Sequence, residues 1–344
     1  MKEYESFERI GVEPHRSYYI PFAHSDKIRN KFGIIDRRSS SRFVSLDGEW
    51  QIKQHNHVSE VDINEKLTET IPVPSCVQMH GYDHIQYLNH RYPFPVTLPH
   101  IPNVNPCWHY RRTFTLNKKD GEKYYLNFEG VDSAFYLYVN GVKKGYSQIS
   151  HATSEFDITD LVVNGENTLD VIVLKWCVST YLECQDKFRF SGIFRNVYLL
   201  KRPEKHITDY RFITELDGKD GVLTFFNESK IAITVSFKQT KTVVPAKKSV
   251  EFHVKNVRQW SAENPELYTL KLEAEGELII DKVGFRQVTI DGKVFKINGN
   301  AVKLKGVNRH DFNCKTGATV TLTNLMEDIK LMKVCIGEKN LKIK

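Results

Sequence analysis

Hydrophobic and polar positions alternate along much of this chain. In KYYLNFEGV, Tyr124, Leu126 and Phe128 fall on one face, the period of two that marks a half-buried strand. SAFYLYVNGVKKGYS sets Asn140-Gly141 between two strand-like runs. Asn-Gly is the strongest two-residue hairpin signal, because both turn residues need positive φ. LVVNGENTLDVIVLKW repeats the pattern and predicts a second such turn at Asn164-Gly165. Short strands with regular turn signals predict a sandwich or barrel over 43–203. A second set, GVLTFFNES, IAITVSFKQ, SVEFHVK, LYTLKLEAE and VGFRQVTI, fits an immunoglobulin-like sandwich over 204–290.

The flanks differ. Residues 1–42 carry turn formers and the charged run IIDRRSSSR, and read as an irregular arm whose Tyr18, Tyr19 and Phe22 pack onto something. From about 291 the pattern becomes α/β. VFKINGNAVKLKGVN predicts a hairpin at Asn298-Gly299 and then a strand. TLTNLMEDIKLMK places Leu322, Leu325, Met326, Ile329 and Met332 at helical spacing, with Asn324 and Glu327 spaced as a capping box. A strand followed by a helix opens an α/β domain, and one such unit cannot close a parallel barrel. The third domain, 291–344, therefore reads as cut short.

Composition narrows the class. Apolar residues are 40% and charged residues 26%, which excludes a disordered chain. The net charge, 49 − 42 = +7, is spread over scattered lysines such as Lys143-Lys144 and Lys247-Lys248, so no nucleic-acid partner is expected. No run reaches the roughly 18 apolar residues of a membrane span. The N-terminus lacks the apolar run of a secretory signal, and no pair among the six cysteines has the two-residue gap of a zinc or redox motif. Reduced thiols in a cytoplasmic protein are the expectation. Most of the 12 prolines lie between Pro72 and Pro106, which predicts a long shaped loop. His80 and His84 have helical metal spacing but fall in that loop, where a zinc site is not expected.

Several strings taken together carry a resemblance. FVSLDGEW spans Phe43–Trp50, WHYRRTF spans Trp108–Phe114, and LNFEGVDSAFYLYVNG spans Leu126–Gly141. YLECQDKFRFSGIFRNVYLL spans Tyr181–Leu200, WSAENPELYTL spans Trp260–Leu270, VGFR spans Val283–Arg286 and GVNRHD spans Gly306–Asp311. In this order they closely resemble glycoside hydrolase family 2, in particular its bacterial β-galactosidases. The resemblance implies a mainly β chain: a jelly-roll sugar-binding domain, an immunoglobulin-like sandwich, and the first elements of an incomplete (β/α)₈ barrel. Residues from about 334, VCIGEKNLKIK, depart from the family abruptly, as a truncation or frameshift would produce.

The family's reaction is retaining hydrolysis of a β-galactoside by two carboxyl groups about 5–5.5 Å apart. The resemblance puts both glutamates on barrel strands beyond this chain, so the chain alone is expected to be inactive and to need no cofactor. Glu263 and Glu266 offer two carboxylates, but within a surface turn of the second sandwich. Asn89, in YLNHRYPFP, matches a family asparagine that reaches the galactose pocket. Asp186, in LECQDKFRFSG, matches an aspartate that contacts the galactosyl group and a sodium ion. Magnesium is likewise implied for the longer enzyme. Arg309 and His310, at the end of what would be the first barrel strand, are candidates for the site wall. The family histidine expected near 313 is replaced by Asn313, so that role is not transferred. Trp108 and Arg189 read as packing residues. The arm 1–42 is a candidate homo-oligomer interface by analogy. β-Glucuronidases and β-mannosidases share the family; Asn89 and the 181–200 string point to the galactosidase branch. The alternative readings are a stand-alone carbohydrate-binding module and a structural β-sandwich protein.

Overall fold

The computed structural model describes residues 3–31, 33–89, 92–183, 186–304 and 306–335. Cys184 and the tail from 336 lie outside the described residues. The chain forms two compact units: one from 1–15, 44–201 and 309–324, the other from 16–43, 202–308 and 325–344.

The first unit is the jelly-roll sandwich. Its six-stranded sheet runs in the order Val142–Gln148, Ala134–Val139, Gly165–Leu174, Cys107–Leu116, Gly48–His55 and Glu69–Val73. The facing sheet runs Ser154–Asp157, Glu122–Phe128, Val197–Pro203 and Phe43–Ser45. Alternation sends Trp50, Ile52, Trp108, Tyr110, Leu126, Phe128, Phe135, Val171 and Val173 inward, where they form one core. Each such side chain contributes about 1.5–3 kcal/mol on burial. The outer face of the larger sheet is also covered. Tyr136, Tyr146, Ile172 and Leu174 pack there beneath Tyr4, Trp176 and Val178.

Asn140 and Gly141 make the predicted hairpin, with φ of 49° and 78°. Asn164-Gly165 does not. Gly165 opens the strand Gly165–Leu174, which pairs with Ala134–Val139 and Cys107–Leu116. The strand before it, Ser154–Asp157, pairs with Glu122–Phe128 in the other sheet. Packed sheets lie about 10 Å apart, so the connection must cross the sandwich, and a two-residue turn cannot do that.

The second unit packs a three-stranded sheet (Tyr210–Asp217, Asp220–Asn227, Ser249–Val254) and a five-stranded one around Tyr19, Phe225, Val235, Phe237, Leu270, Leu272 and Phe285. The edge of the larger sheet is Phe22–Ala23, paired with Glu277–Val283. The segment 1–42 is thus not one arm. Residues 3–15 lie along the first unit, where Ile10 bridges Tyr146 and Val178 N–H donates to the Tyr4 carbonyl at 2.8 Å. Residues 16–43 complete the second unit, because Tyr19 and Phe22 are core residues of it.

Beyond 287, Val288–Asp291 pairs with Val294–Ile297, and that strand pairs with Asn300–Ala301 across Asn298-Gly299, whose φ values are 50° and 76°. The predicted strand leading into GVNRHD is absent among the described residues. Parallel strands occur in sheets covered on both faces, and the 288–301 meander, antiparallel throughout, supplies no parallel partner. The helix Leu322–Cys335 forms, but its cap is one turn earlier than the sequence spacing suggests. Asn324 N–H donates to Thr321 Oγ1 at 3.2 Å, and Thr321 N–H donates to Asn324 Oδ1 at 3.0 Å. The capping box is Thr321 with Asn324; Glu327 lies inside the helix.

Candidate functional site

The two principal candidates come together at one end of a small ribbon. Gln86–Leu88 pairs antiparallel with Lys187–Arg189, in the register Leu88↔Lys187, Tyr87↔Phe188 and Gln86↔Arg189. Asn89 and Asp186 are the residues that follow and precede the last pair at that end of the ribbon. Both are exposed. The Tyr87 hydroxyl donates to Asp186 Oδ1. This bond, more than burial or the carboxylate's charge, raises the Tyr87 phenol above its ordinary range, so the phenol stays a donor. The Tyr87 and Phe188 rings meet edge to face, 5.2 Å apart.

The other end of the ribbon is anchored in the sandwich. Arg189 is buried, with Nη2 donating to Asp132 Oδ1 at 3.2 Å, to Thr180 Oγ1 at 3.3 Å and to Ser133 Oγ. Its guanidinium lies 5.3 Å from the Trp176 ring centre, within cation–π range. Removing Arg189 would leave the Asp132 carboxylate buried and lose the post on which the ribbon stands. Trp108 is wholly buried in the core. Both residues pack rather than face solvent.

Residues 309–319 return to the same surface. Phe312 stacks on Phe188 at 4.9 Å and on Phe190 at 6.0 Å. Arg309 Nη1 donates to Asp311 Oδ1, and Asp311 Oδ2 lies 3.8 Å from Arg195 Nη2. Thr319 Oγ1 donates to the Phe194 carbonyl at 3.1 Å. The turn is closed by Gly317, at φ 64°, where a Cβ would stand 2.8 Å from the Phe190 ring and 3.1 Å from Cys76 Sγ. Arg309 is half-buried and His310 exposed. Asn313 does turn work: its Oδ1 accepts from Lys315 N–H at 2.9 Å. The arrangement joins an amide, a carboxylate, a phenol and the exposed rings of Phe188 and Phe312 on one open surface, with Phe190 buried beneath. It can hydrogen-bond and stack on a polyol ring; among these residues no paired carboxylates stand ready to cleave one.

Three residues that sequence spacing missed meet elsewhere on the sandwich. His55, Glu65 and His109 bring one ligand atom each within 4.8 Å of one another. They come from two strands and a connecting strap, and no spacing rule links positions so placed. His80 and His84 are not in this group.

Three family descriptions match the chain in sequence. "Glycosyl hydrolases family 2, sugar binding domain" matches residues 43–203. "Glycosyl hydrolases family 2" matches 202–286, and its "TIM barrel domain" matches 288–337. The chain belongs to glycoside hydrolase family 2. It is 39% identical to a β-galactosidase of Staphylococcus xylosus over 338 residues, which are 95% of this chain and 34% of that protein. It is 40% identical to one of Actinobacillus pleuropneumoniae over 341 residues, 94% of this chain and 33% of that protein. The chain thus spans about a third of the length of these relatives. Among solved structures, the β-glucuronidase of Ruminococcus gnavus aligns with a TM-score of 0.70 and 20% identity, covering 95% of this chain and 55% of that one. That likeness speaks for the fold alone. No helix among the described residues is long and apolar enough to cross a membrane.

Proposed function

We propose that this chain is the N-terminal part of a β-galactosidase-type glycoside hydrolase, supplying one wall of a galactosyl pocket through Asn89 and Asp186 and performing no hydrolysis by itself. The observation that carries this reading is the pairing register that brings these two residues to one ribbon end, in a chain 39–40% identical to β-galactosidases across nearly its whole length. The domains in this reading are the jelly roll 43–203, the immunoglobulin-like sandwich 204–290 and the barrel start 291–344. Terminal β-galactosides such as lactose are the substrates of the longer enzyme.

The wall binds and orients but does not cleave. Asn89 offers an amide to a sugar hydroxyl. Asp186, oriented by Tyr87, offers a carboxylate oxygen. Arg309 and His310 border the same surface. Hydrolysis needs a nucleophile and an acid/base, and the family resemblance places both glutamates on later strands. The cations implied by the family do not fit this chain alone. Asp186 gives sodium one hard side-chain oxygen group, and among the described residues it belongs to no group of three metal-ligating side chains. Magnesium wants an oxygen octahedron, which the imidazole-rich group at His55 and His109 does not offer.

Two polar side chains on an open wall cannot hold a monosaccharide tightly, because each exposed hydrogen bond nets only about 0.5–1.5 kcal/mol against ordering and desolvation costs. The isolated chain is therefore expected to bind galactose no tighter than roughly millimolar and to leave a chromogenic β-galactoside uncut. When the chain replaces the matching third of the Staphylococcus xylosus enzyme, turnover should persist. In that chimera Asn89→Ala should weaken sugar binding, and Asp186→Ala should weaken both turnover and the sodium response. A micromolar galactose site in the isolated chain, lost in Asp186→Ala, would overturn the reading in favour of a stand-alone binding module.

A further inference from the structure

The outer face of the six-stranded sheet carries a polar cluster that the galactosyl wall does not use. His55 ends the strand Gly48–His55, and His109 and Arg111 lie on the neighbouring strand, with Lys53 directly opposite His109. Asp170, on the next strand, is opposite Arg111. A strap between the first two sheet strands, residues 56–67, lies over them and carries Glu65. Arg111 fastens the strap: Nη1 donates to the Glu65 carbonyl at 2.8 Å and Nη2 to the Ile63 carbonyl.

His109 is wholly buried, and each of its ring nitrogens faces a carboxylate. Nε2 lies 2.8 Å from Asp170 Oδ1, and Nδ1 lies 3.1 Å from Glu65 Oε1. Asp170 Oδ1 also accepts from Arg111 Nε at 2.6 Å, so it meets His109 as an acceptor. That bond takes a proton on Nε2, and in the neutral ring it turns the Nδ1 lone pair toward Glu65 Oε1. His55 Nε2 reaches the same oxygen at 2.7 Å. With both imidazoles neutral and these nitrogens unprotonated, three ligand atoms within 4.8 Å of one another converge on one point. A cation there resolves the opposition of acceptors.

We propose that His55 Nε2, His109 Nδ1 and Glu65 Oε1 form a structural site for a divalent transition cation of the zinc class, with a water as fourth ligand. Two imidazoles and one carboxylate are a zinc-type donor set, and tetrahedral zinc with bonds of about 2.0–2.2 Å separates its ligand atoms by roughly 3.4 Å. The 2.7 and 3.1 Å contacts to Glu65 open to that spacing, and the two ring nitrogens, within 4.8 Å of each other, settle to it. Asp170 stands where the outer carboxylate of a carboxylate–histidine–metal triad stands, fixing the tautomer and ring orientation. Glu65 and the two imidazoles thus supply one carboxylate oxygen and two ring nitrogens from three separate segments of the first unit. Lys53 takes the other oxygen, Oε2, and leaves Oε1 to the ion. The ion would tie the strap to two sheet strands.

The test is equilibrium dialysis of the chain against zinc, followed by chelator-free washing and metal analysis. One equivalent should be retained, with a raised melting temperature, and cobalt(II) should give the visible bands of a tetrahedral site. His55→Ala and Glu65→Gln should each abolish retention, while His84→Ala, in the loop, should retain it. Asp170→Asn, a positioning change, should weaken affinity about 10–100-fold without removing the cobalt bands at saturation. Should Glu65→Gln fail to fold, His55→Gln carries the same reading. Sub-stoichiometric retention by the wild type, or retention that survives both ligand substitutions, would overturn the site and leave a proton-bridged network in its place.

Discussion

Arg202 and Glu277 are 2% and 0% exposed and meet through two hydrogen bonds of 2.8 and 2.7 Å. Arg202 also donates to the Ile207 carbonyl at 2.8 Å and to Tyr19 Oη at 3.1 Å. Burial works to discharge the guanidinium, and Tyr19 and Glu277 outweigh it, so its charge is held more firmly than in water. Removing one member of such a pair strands the other in the core. Glu277→Gln should destabilise the second unit by about 3–5 kcal/mol, read by urea denaturation. The double change Arg202→Met with Glu277→Leu should recover most of the loss; a double variant as unstable as the single would contradict this account. None of this pair is legible in sequence, since nothing local links residues 75 apart. The same holds for His55, Glu65 and His109. Asn89 and Asp186 were reachable only through their strings' resemblance to a family; spacing gives no hint that they flank the same end of one ribbon.

Elements were legible wherever one face is buried and a turn has strict backbone needs. Tyr124, Leu126 and Phe128 are all fully buried, as their alternation predicts, and Asn140-Gly141 and Asn298-Gly299 both turn with positive φ. Asn164-Gly165 misled because a turn dipeptide says nothing about which sheet receives the next strand. The helix cap misled because asparagine takes the place of the usual glutamate in the box. The stretch 3–15 had no periodicity to read, since it is held by one core side chain, Tyr4, by scattered backbone and side-chain bonds such as those from Gln148 to the Ser6 and Glu8 carbonyls, and by close approach to a glycine. A Cβ on Gly145 would stand 2.0 Å from the Ile10 carbonyl oxygen. Gly145→Val should therefore cost about 1–3 kcal/mol of overpacking, expressed as release of residues 3–15 rather than collapse of the sandwich. Faster tryptic cleavage at Arg9 with a cooperative melt retained is the expected result. Unchanged cleavage at Arg9 would show that the segment is held by other means.

At the scale of the whole chain, the two sandwiches were readable from pattern alone, and the path after them was not. Leu304 is 85% exposed and Val307 51%, and the described residues around them belong to no strand. Limited trypsin digestion should cut first at Lys303, before any site within 43–286; a first cut near Pro203 would contradict this. Past that stretch the chain comes back to the first unit, where Phe312 lies on Phe188 and Phe190 and Thr319 is bonded to Phe194. Sequence patterns cannot announce such a return, because the rings that meet are more than 120 positions apart. The docking has a consequence for the order of synthesis. A ribosome delivers the chain from its N-terminus, and domains fold as they emerge. Every residue of the ribbon, its anchor and the aromatic clasp has been translated by position 319. The ribbon surface can thus set on the nascent chain while any following segment is still unmade, and what emerges later meets a finished surface as its template.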